Sequence, residues 1–375
     1  MSPCHQLREA GTSVWLDQLS RELIQSGKLA ELIQSAALGG VTSNPAIFHQ
    51  AMTTGNAYDA QLMELGAKGL SDEQAYEELA VTDIRLACDT LRPVHKESMG
   101  TDGFVSLEVS PHLARDTQGT LTAARRLYRW VNRPNLMIKI PGTTEGVSAI
   151  EECLYEGIPI NVTLLFSIDA YEAVAKAYVR AIARRVAEGK SPKVPSVASF
   201  FVSRIDSLTD QRLDEAAERQ PAMRPQILSL RGKTAVANAK LAYQSFRKIF
   251  GTDQWKQLAG AGAWVQRPLW ASTSTKNPAY KDTLYVDTLV GMHCVNTMPM
   301  DTIVATQDHG KIVANTIESD LEGARELFGL LGLYGISFQA VTDQLLNEAI
   351  QKFNDPYDKL LASLGSKMGS LAGRS

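Results

Sequence analysis

The sequence predicts an α/β fold in which parallel strands and their crossover helices close into a (β/α)8 TIM barrel with additional inserted helices. Short apolar or β-rich runs, bounded mostly by Gly, Pro, Ser or Asn, alternate with longer segments of helical periodicity. Strand then helix, repeated about eight times, is the pattern of a parallel sheet, and eight units favour closure. The length of 375 residues, with 44% hydrophobic and 21% charged, suits one such barrel spanning the chain. A doubly wound open sheet is the competing arrangement.

In chain order, the expected strands are "SVWLDQL" (13–19), "GGVTSNP" (39–45), "GFVSLEVSP" (103–111) and "NLMIKIPG" (135–142). "GIPINVTLLFS" (157–167), "PSVASFFVSRID" (195–206), "QRPLWASTST" (266–275) and "KDTLYVDTLVG" (281–291) complete the set. Between them, residues 19–38 repeat Leu and Ile at helical spacing and end at Gly39-Gly40, a candidate C-cap. Residues 169–190, which Ser167 or Asp169 can cap, 232–251 and 316–335 behave likewise. Two features strain the pattern. "KNPAYKDT" is too short for a crossover helix between the last two strands, and 46–100 and 203–265 are long enough for inserted helices. No linker or repeat divides the chain, and the Gly/Ser-rich stretch 363–375 is expected to fray.

Composition narrows the function. A net charge of −3 and a pI near 6.1 give no basic footprint for nucleic acid. Cys4, Cys88, Cys153 and Cys294 are scattered, without CxxC or nearby His spacing, as reduced cytoplasmic thiols are. The first residues lack a signal-peptide layout, and no apolar run is long enough for a membrane span. A cytoplasmic protein acting on a small molecule, as a monomer or homodimer, is the expectation.

Alternation sends Asn135, Met137 and Lys139 to one face of the fourth strand and Leu136, Ile138 and Ile140 to the other. The apolar set suits the surrounding helices, which turns Lys139 into the barrel near its C-terminal end, where such barrels keep their chemistry. Desolvation there favours a neutral amine, a nucleophile toward carbonyls that can form a Schiff base. A structural lysine paired with a carboxylate explains the residue equally well on type alone.

Other strand ends supply company. Asp17 follows the first strand, where it could equally cap the next helix. Glu108, flanked by Leu107 and Val109, is a buried carboxylate in need of a cation, which Lys139 could be. Asn44 reads as a turn residue before proline, whereas Asn161 and Thr163 share one face of an apolar strand and suggest a polar ligand. Ser199 and Arg204 after the sixth strand, with Ser272, Ser274 and Lys276 after the seventh, suit a phosphate group. Ser274 alone is better explained as surface polarity. No GxGxxG, Walker A, GxSxG or metal-ligand spacing occurs. Lysine chemistry on a phosphorylated carbonyl compound remains.

The motifs "VTSNPAIF" (41–48), "VSLEVSP" (105–111), "NLMIKIPGT" (135–143), "INVTLLFS" (160–167) and "SFFVSRID" (199–206) resemble those of the longer bacterial transaldolases, in the same order. "VNTMP" (295–299) looks like the family's segment after the last strand. The resemblance implies a cofactor-free, class I Schiff-base barrel of the pentose phosphate pathway that moves a dihydroxyacetone unit between sugar phosphates. It implies Lys139 as the Schiff-base lysine and Asp17 as acid/base. Glu108 and Thr163 would hold a catalytic water, Asn44 and Asn161 would bind the dihydroxyacetone unit, and Ser199 and Arg204 would serve substrate and phosphate. Many members carry Ser-Phe-Arg after the seventh strand. Here Ser272 carries over and the second arginine does not, leaving Lys276 as its candidate replacement, a point charge without the bidentate fork.

Three other readings compete. In a simple fructose 6-phosphate aldolase, the resemblance leads one to expect Gln in place of Glu108 and Tyr in place of Phe201. A non-catalytic sugar-phosphate-binding barrel would lack Lys139, Asp17 or Glu108. An isomerase fits the fold, but not the lysine beside two carboxylates.

Overall fold

Eight short runs, each too apolar to face water, have no edge left open. In the computed structural model, which describes residues 2–372, eight parallel strands close into a barrel in chain order. They are β1 (Thr12–Leu16), β2 (Leu38–Val41), β3 (Phe104–Glu108), β4 (Leu136–Pro141), β5 (Ile160–Leu165), β6 (Ser196–Phe201), β7 (Arg267–Ala271) and β8 (Cys294–Met298). The barrel is thus the predicted one, and the open sheet is excluded. The register sets which inward side chains become neighbours: Glu108 pairs with Lys139, Lys139 with Asn161, and Pro141 with Thr163.

Two expectations about strands need correction. Residues 281–291 are not a strand. They hold one helical turn, Leu284–Asp287, in which Tyr285 and Val286 are buried and the Thr283 hydroxyl donates to Asp287. The eighth strand is Cys294–Met298, which pairs with both β7 and β1, so "VNTMP" is largely the last strand and not the segment after it. With the strand placed there, the connection between β7 and β8 runs from 272 to 293 and is no longer too short. Gly39 and Gly40, expected to cap a helix, lie inside β2. A Cβ on Gly40 would sit 2.5 Å from the ring of Trp15, its partner across β1–β2, and one on Gly39 would strike the Asp102 carboxylate. Only a glycine pair lets β2 pass this close.

The helices also refine the reading. The segment 19–38 breaks at Gly27, whose φ of +79° ends one helix, Arg21–Gln25, before the next, Lys28–Ser35. Ser167 caps the helix Ile168–Ala187, its side chain accepting from Ala170 N–H. Three helices contribute to the site, α1 (Pro45–Thr53), α2 (Ser203–Arg219) and α4 (Phe338–Ala372), and α3 (Thr234–Ile249) packs on α2. Inserted helices fill both long segments, among them Asp72–Glu97 and Asp253–Gly260. Among the described residues, no helix is long and apolar enough to cross a membrane.

The stretch from 363, expected to fray, is helical as far as Ala372; residues 373–375 lie outside the described residues. The reason is a buried stripe that continues through it: Val341, Leu345, Ala349, Phe353, Tyr357, Leu360, Leu364 and Met368, at spacings of three and four. Leu364→Ala should therefore lower the chain's stability by about 2–5 kcal/mol, as for other fully buried leucines. A chemical-denaturation midpoint equal to that of the parent chain would mean that the tail does not pack.

Candidate active site

Inward-facing residues near the C-terminal ends of the strands line a cavity of about 230 Å³. Lys139 is at its floor, 5% exposed, with its Nζ donating to the Ser43 carbonyl at 3.0 Å. Glu108 Oε2 is 3.4 Å away, an ion-pair contact too poorly directed to be a hydrogen bond. The register of β3 against β4 creates this pair, as the two residues are lateral neighbours. Glu108 sits behind the cavity wall, and burial raises its carboxyl to about 7; Lys139 opposes that rise and Asp17 adds to it. Both Glu108 oxygens and Thr163 Oγ1 are buried without a hydrogen-bond partner among the protein groups.

Asp17 follows β1 and lines the same cavity, half-buried. It does not cap the next helix; Ser20 does. The Thr42 hydroxyl donates to Asp17 Oδ1 at 2.6 Å and lies 2.8 Å from Thr297 Oγ1, so Thr297 can donate to Thr42 in turn. This hydroxyl chain aims the carboxylate.

Asn44 serves two ends. Its Oδ1 accepts from Ile47 N–H and caps α1, while the residue lines the cavity. Asn161 is fully buried and does not reach the cavity wall. Its amide donates to Ser106 Oγ at 2.9 Å and accepts from Ser199 Oγ at 2.7 Å, and Ser199 is the member exposed to the cavity.

The basic residues gather at one side. Arg204 stands in the first turn of α2, with its guanidinium carbon 5.4 Å from the Phe201 ring and Nη1 buried without a hydrogen-bond partner. Burial works against its charge, whereas Asp17 and Glu348 support it. Ser272, at φ +57°, follows β7 with its Oγ 3.0 Å from Ser203 Oγ. Lys276 is at the rim, its Nζ donating to Ser274 Oγ at 2.6 Å. Desolvation and then the charge of Arg204 lower its affinity for the proton, with Asp17 opposing. Two cations that disfavour each other, with the Ser272 and Ser274 hydroxyls lining the same cavity, form a corner suited to a phosphate dianion.

Of the predicted residues, Lys139, Asp17, Thr163, Asn44, Ser199, Arg204, Ser272 and Lys276 share this cavity, with Glu108 and Asn161 behind it. Sequence reasoning missed Thr42, Thr297, Ser106, Lys352 and Phe353. Alternation alone could have turned Thr42 and Ser106 inward, since each is two residues before Asn44 or Glu108. Lys352 and Phe353 come from α4, which packs on α1 and crosses the mouth. The Phe353 ring lies 5.8 Å from Lys139 Nζ, and Lys352 pairs with Glu348 at 3.1 Å. No local signal marks these two. Among the described residues, no cluster of His, Cys, Asp or Glu could hold a metal ion.

Comparison with known proteins identifies the family. The family model described as Transaldolase/Fructose-6-phosphate aldolase matches residues 14–364. A protein named Transaldolase 2 from Nostoc sp. is 46% identical over 374 residues, covering 98% of each chain. One named Transaldolase from Thermobifida fusca is 46% identical over 370 residues, covering 98% of this chain and 99% of its own. Another from Mycobacterium bovis is 45% identical over 368 residues, covering 98% and 97%. The family match and these full-length similarities, on a closed eight-stranded parallel barrel, place the chain in the transaldolase/fructose-6-phosphate aldolase family.

Proposed function

We propose that the chain is a transaldolase that carries a dihydroxyacetone unit from a ketose phosphate, such as sedoheptulose 7-phosphate or fructose 6-phosphate, to an aldose phosphate. The observation that carries this reading is the buried Lys139 amine 3.4 Å from Glu108, in a cavity that also presents Arg204 and Lys276. An amine next to a carboxyl suits imine formation, and the two cations suit a substrate phosphate.

In the proposed cycle, the Lys139 amine attacks the ketone carbon. Glu108, working with Thr163 through a water molecule, delivers the protons needed to expel the former carbonyl oxygen as water, leaving an iminium. Asp17 takes the proton of the C4 hydroxyl, the C3–C4 bond breaks, and its electron pair passes into the iminium to give an enamine. The aldose phosphate departs. An acceptor aldose phosphate, glyceraldehyde 3-phosphate or erythrose 4-phosphate, reverses the steps, and water releases the product. The iminium is itself the electron sink. Each proton transfer contributes about 10²–10⁴-fold.

Asn44 and the Ser106–Asn161–Ser199 chain would fix the hydroxyls of the three-carbon unit, with Ser199 as the group in contact. Phe353 over Lys139 would keep water from the enamine until the acceptor arrives, which favours transfer over release. The retained Glu108 and Phe201 support the transferase over the aldolase. Four buried free thiols are consistent with a cytoplasmic enzyme.

Borohydride reduction in the presence of fructose 6-phosphate, followed by peptide mapping, should find a three-carbon adduct on Lys139. An unmodified "NLMIKIPG" peptide would sink the mechanism. Turnover of fructose 6-phosphate should depend on erythrose 4-phosphate; equal release of dihydroxyacetone without it would mark an aldolase. Lys276→Ala should raise the KM for sugar phosphates about tenfold with little change in kcat; an unchanged KM removes Lys276 from the phosphate site.

Glu108 also predicts a pH dependence of stability. Folded, it holds its proton up to about pH 7, against an ordinary value of 4.5, so the native state binds the extra proton between these values. This contribution is fully present below 4.5 and is lost as pH rises through 7. Between pH 5 and 8, the parent chain should therefore lose roughly 2 kcal/mol more stability than Glu108→Gln. Urea unfolding of both proteins at the two pH values measures this, and parallel losses would refute it.

A further inference from the structure

Lys276 is on the connection between β7 and β8, and such a connection is ordinarily mobile. Two tyrosines further along that connection tie it down. The Tyr280 hydroxyl donates to Asp210 Oδ2 at 2.5 Å, and the Tyr285 hydroxyl donates to Asp206 Oδ2 at 2.6 Å. Asp206 and Asp210 are one turn apart on α2, the helix whose first turn carries Arg204. Each aspartate uses its other oxygen at the start of α3: Gly232 N–H, just before the helix, donates to Asp210 Oδ1 at 2.9 Å, and Ala235 N–H, in its first turn, donates to Asp206 Oδ1 at 2.7 Å. Gly232, at φ +68°, has the Tyr280 ring packed on it; a Cβ there would lie 2.7 Å from Tyr280 Cζ.

We propose that Asp206 and Asp210 are positioning residues for the anion site. With Tyr285 and Tyr280, they clamp the Lys276 loop to the helix of Arg204, so that the two cations meet a substrate phosphate at a fixed separation. The inference rests on the proposed sugar-phosphate transfer, because it assigns the clamp to that substrate's phosphate. The arrangement has the form such a device needs. Each carboxylate bridges two elements, neither carboxylate is in the cavity lining, and the repeat of Asp at i and i+4 meets Tyr280 and Tyr285 across the gap between α2 and the loop. A lysine, unlike an arginine, has no planar fork to set its own geometry against phosphate. Its position must come from the backbone that carries it, and the clamp restrains that backbone.

Charge and position predict opposite outcomes for Asp210→Asn. Removing a negative charge near the site would tighten phosphate binding through the field alone. Loosening the loop weakens it. Tyr280→Phe removes the same hydrogen bond with no change of charge, and either variant can carry the test if the other fails to fold.

In the full chain, both variants should raise the KM for fructose 6-phosphate and the inhibition constant of inorganic phosphate together, by about three- to tenfold. The rate of borohydride-trapped adduct formation on Lys139 from free dihydroxyacetone, which has no phosphate, should stay within about twofold of the parent. Three results overturn the clamp. One is an unchanged phosphate inhibition constant in a folded variant. Another is tighter phosphate binding by Asp210→Asn, and the third is an equal loss with dihydroxyacetone, which would mean general loosening. A parent chain that neither turns over fructose 6-phosphate nor forms a Lys139 adduct overturns the transferase reading, and the clamp's assignment with it. A normal parent with unaffected variants overturns the clamp alone.

Discussion

A buried amine and a buried carboxyl 3.4 Å apart on neighbouring strands constrain much of the rest of this barrel. Neither group tolerates the interior alone, and either one left unpartnered there costs several kcal/mol. The β3–β4 register must therefore put Glu108 beside Lys139, since a one-residue slip would turn one of them outward. The Gly39-Gly40 pair, which lets β2 pass Trp15 and Asp102 closely, and the closure of β8 on β1 help fix the same ring. Burial also keeps the Glu108 carboxyl near 7, poised to give or take a proton around neutrality.

Around this pair, the site divides by the rigidity of its supports. The groups closest to the proposed covalent step, Lys139, Glu108, Asn161 and Thr163, belong to strands whose lateral hydrogen bonds fix them. Asp17, just beyond β1, is held by the Thr42–Thr297 hydroxyl chain and by its own N–H to the Met298 carbonyl. The anion corner is different, being built from a helix start and a loop. Arg204 has a helix to hold it, and Lys276 depends on hydrogen bonds from farther along the chain. Charge alone tolerates such distance, while imine chemistry does not.

Most of the barrel and most of the site were legible because alternation and strand ends are local properties. Lys139 in an apolar strand and Glu108 between Leu107 and Val109 are conflicts visible within a few residues. The missed parts depend on non-local pairing. "LYVDTLV" has more β-forming residues than "CVNTM", yet only the latter finds neighbours on both sides. Gly39-Gly40 looks like a helix cap until Trp15 and Asp102 are known to lie against it. Thr42, Thr297 and Ser106 are neutral hydroxyls, and a hydroxyl on a strand creates no conflict that marks it. Lys352 and Phe353 reach the site from a helix far along the chain, and their periodicity reports only that one face is buried.

In the proposed mechanism, that last helix also governs the access of water. A Schiff base and its enamine are open to hydrolysis, and a transferase must hold the three-carbon unit until a second aldehyde arrives. The strands cannot provide that cover, as their ends form the floor of an open mouth. α4 can, because the helix packs on α1 and its buried stripe runs to both sides of Phe353. The stripe places one aromatic ring 5.8 Å from Lys139 Nζ and leaves Lys352 and Glu348 to pair at the rim. The packing that keeps residues 363–372 from fraying is therefore the same packing that sets the roof over the amine. Stability of the C-terminal helix and, in the proposed cycle, retention of the intermediate are then two consequences of one apolar stripe.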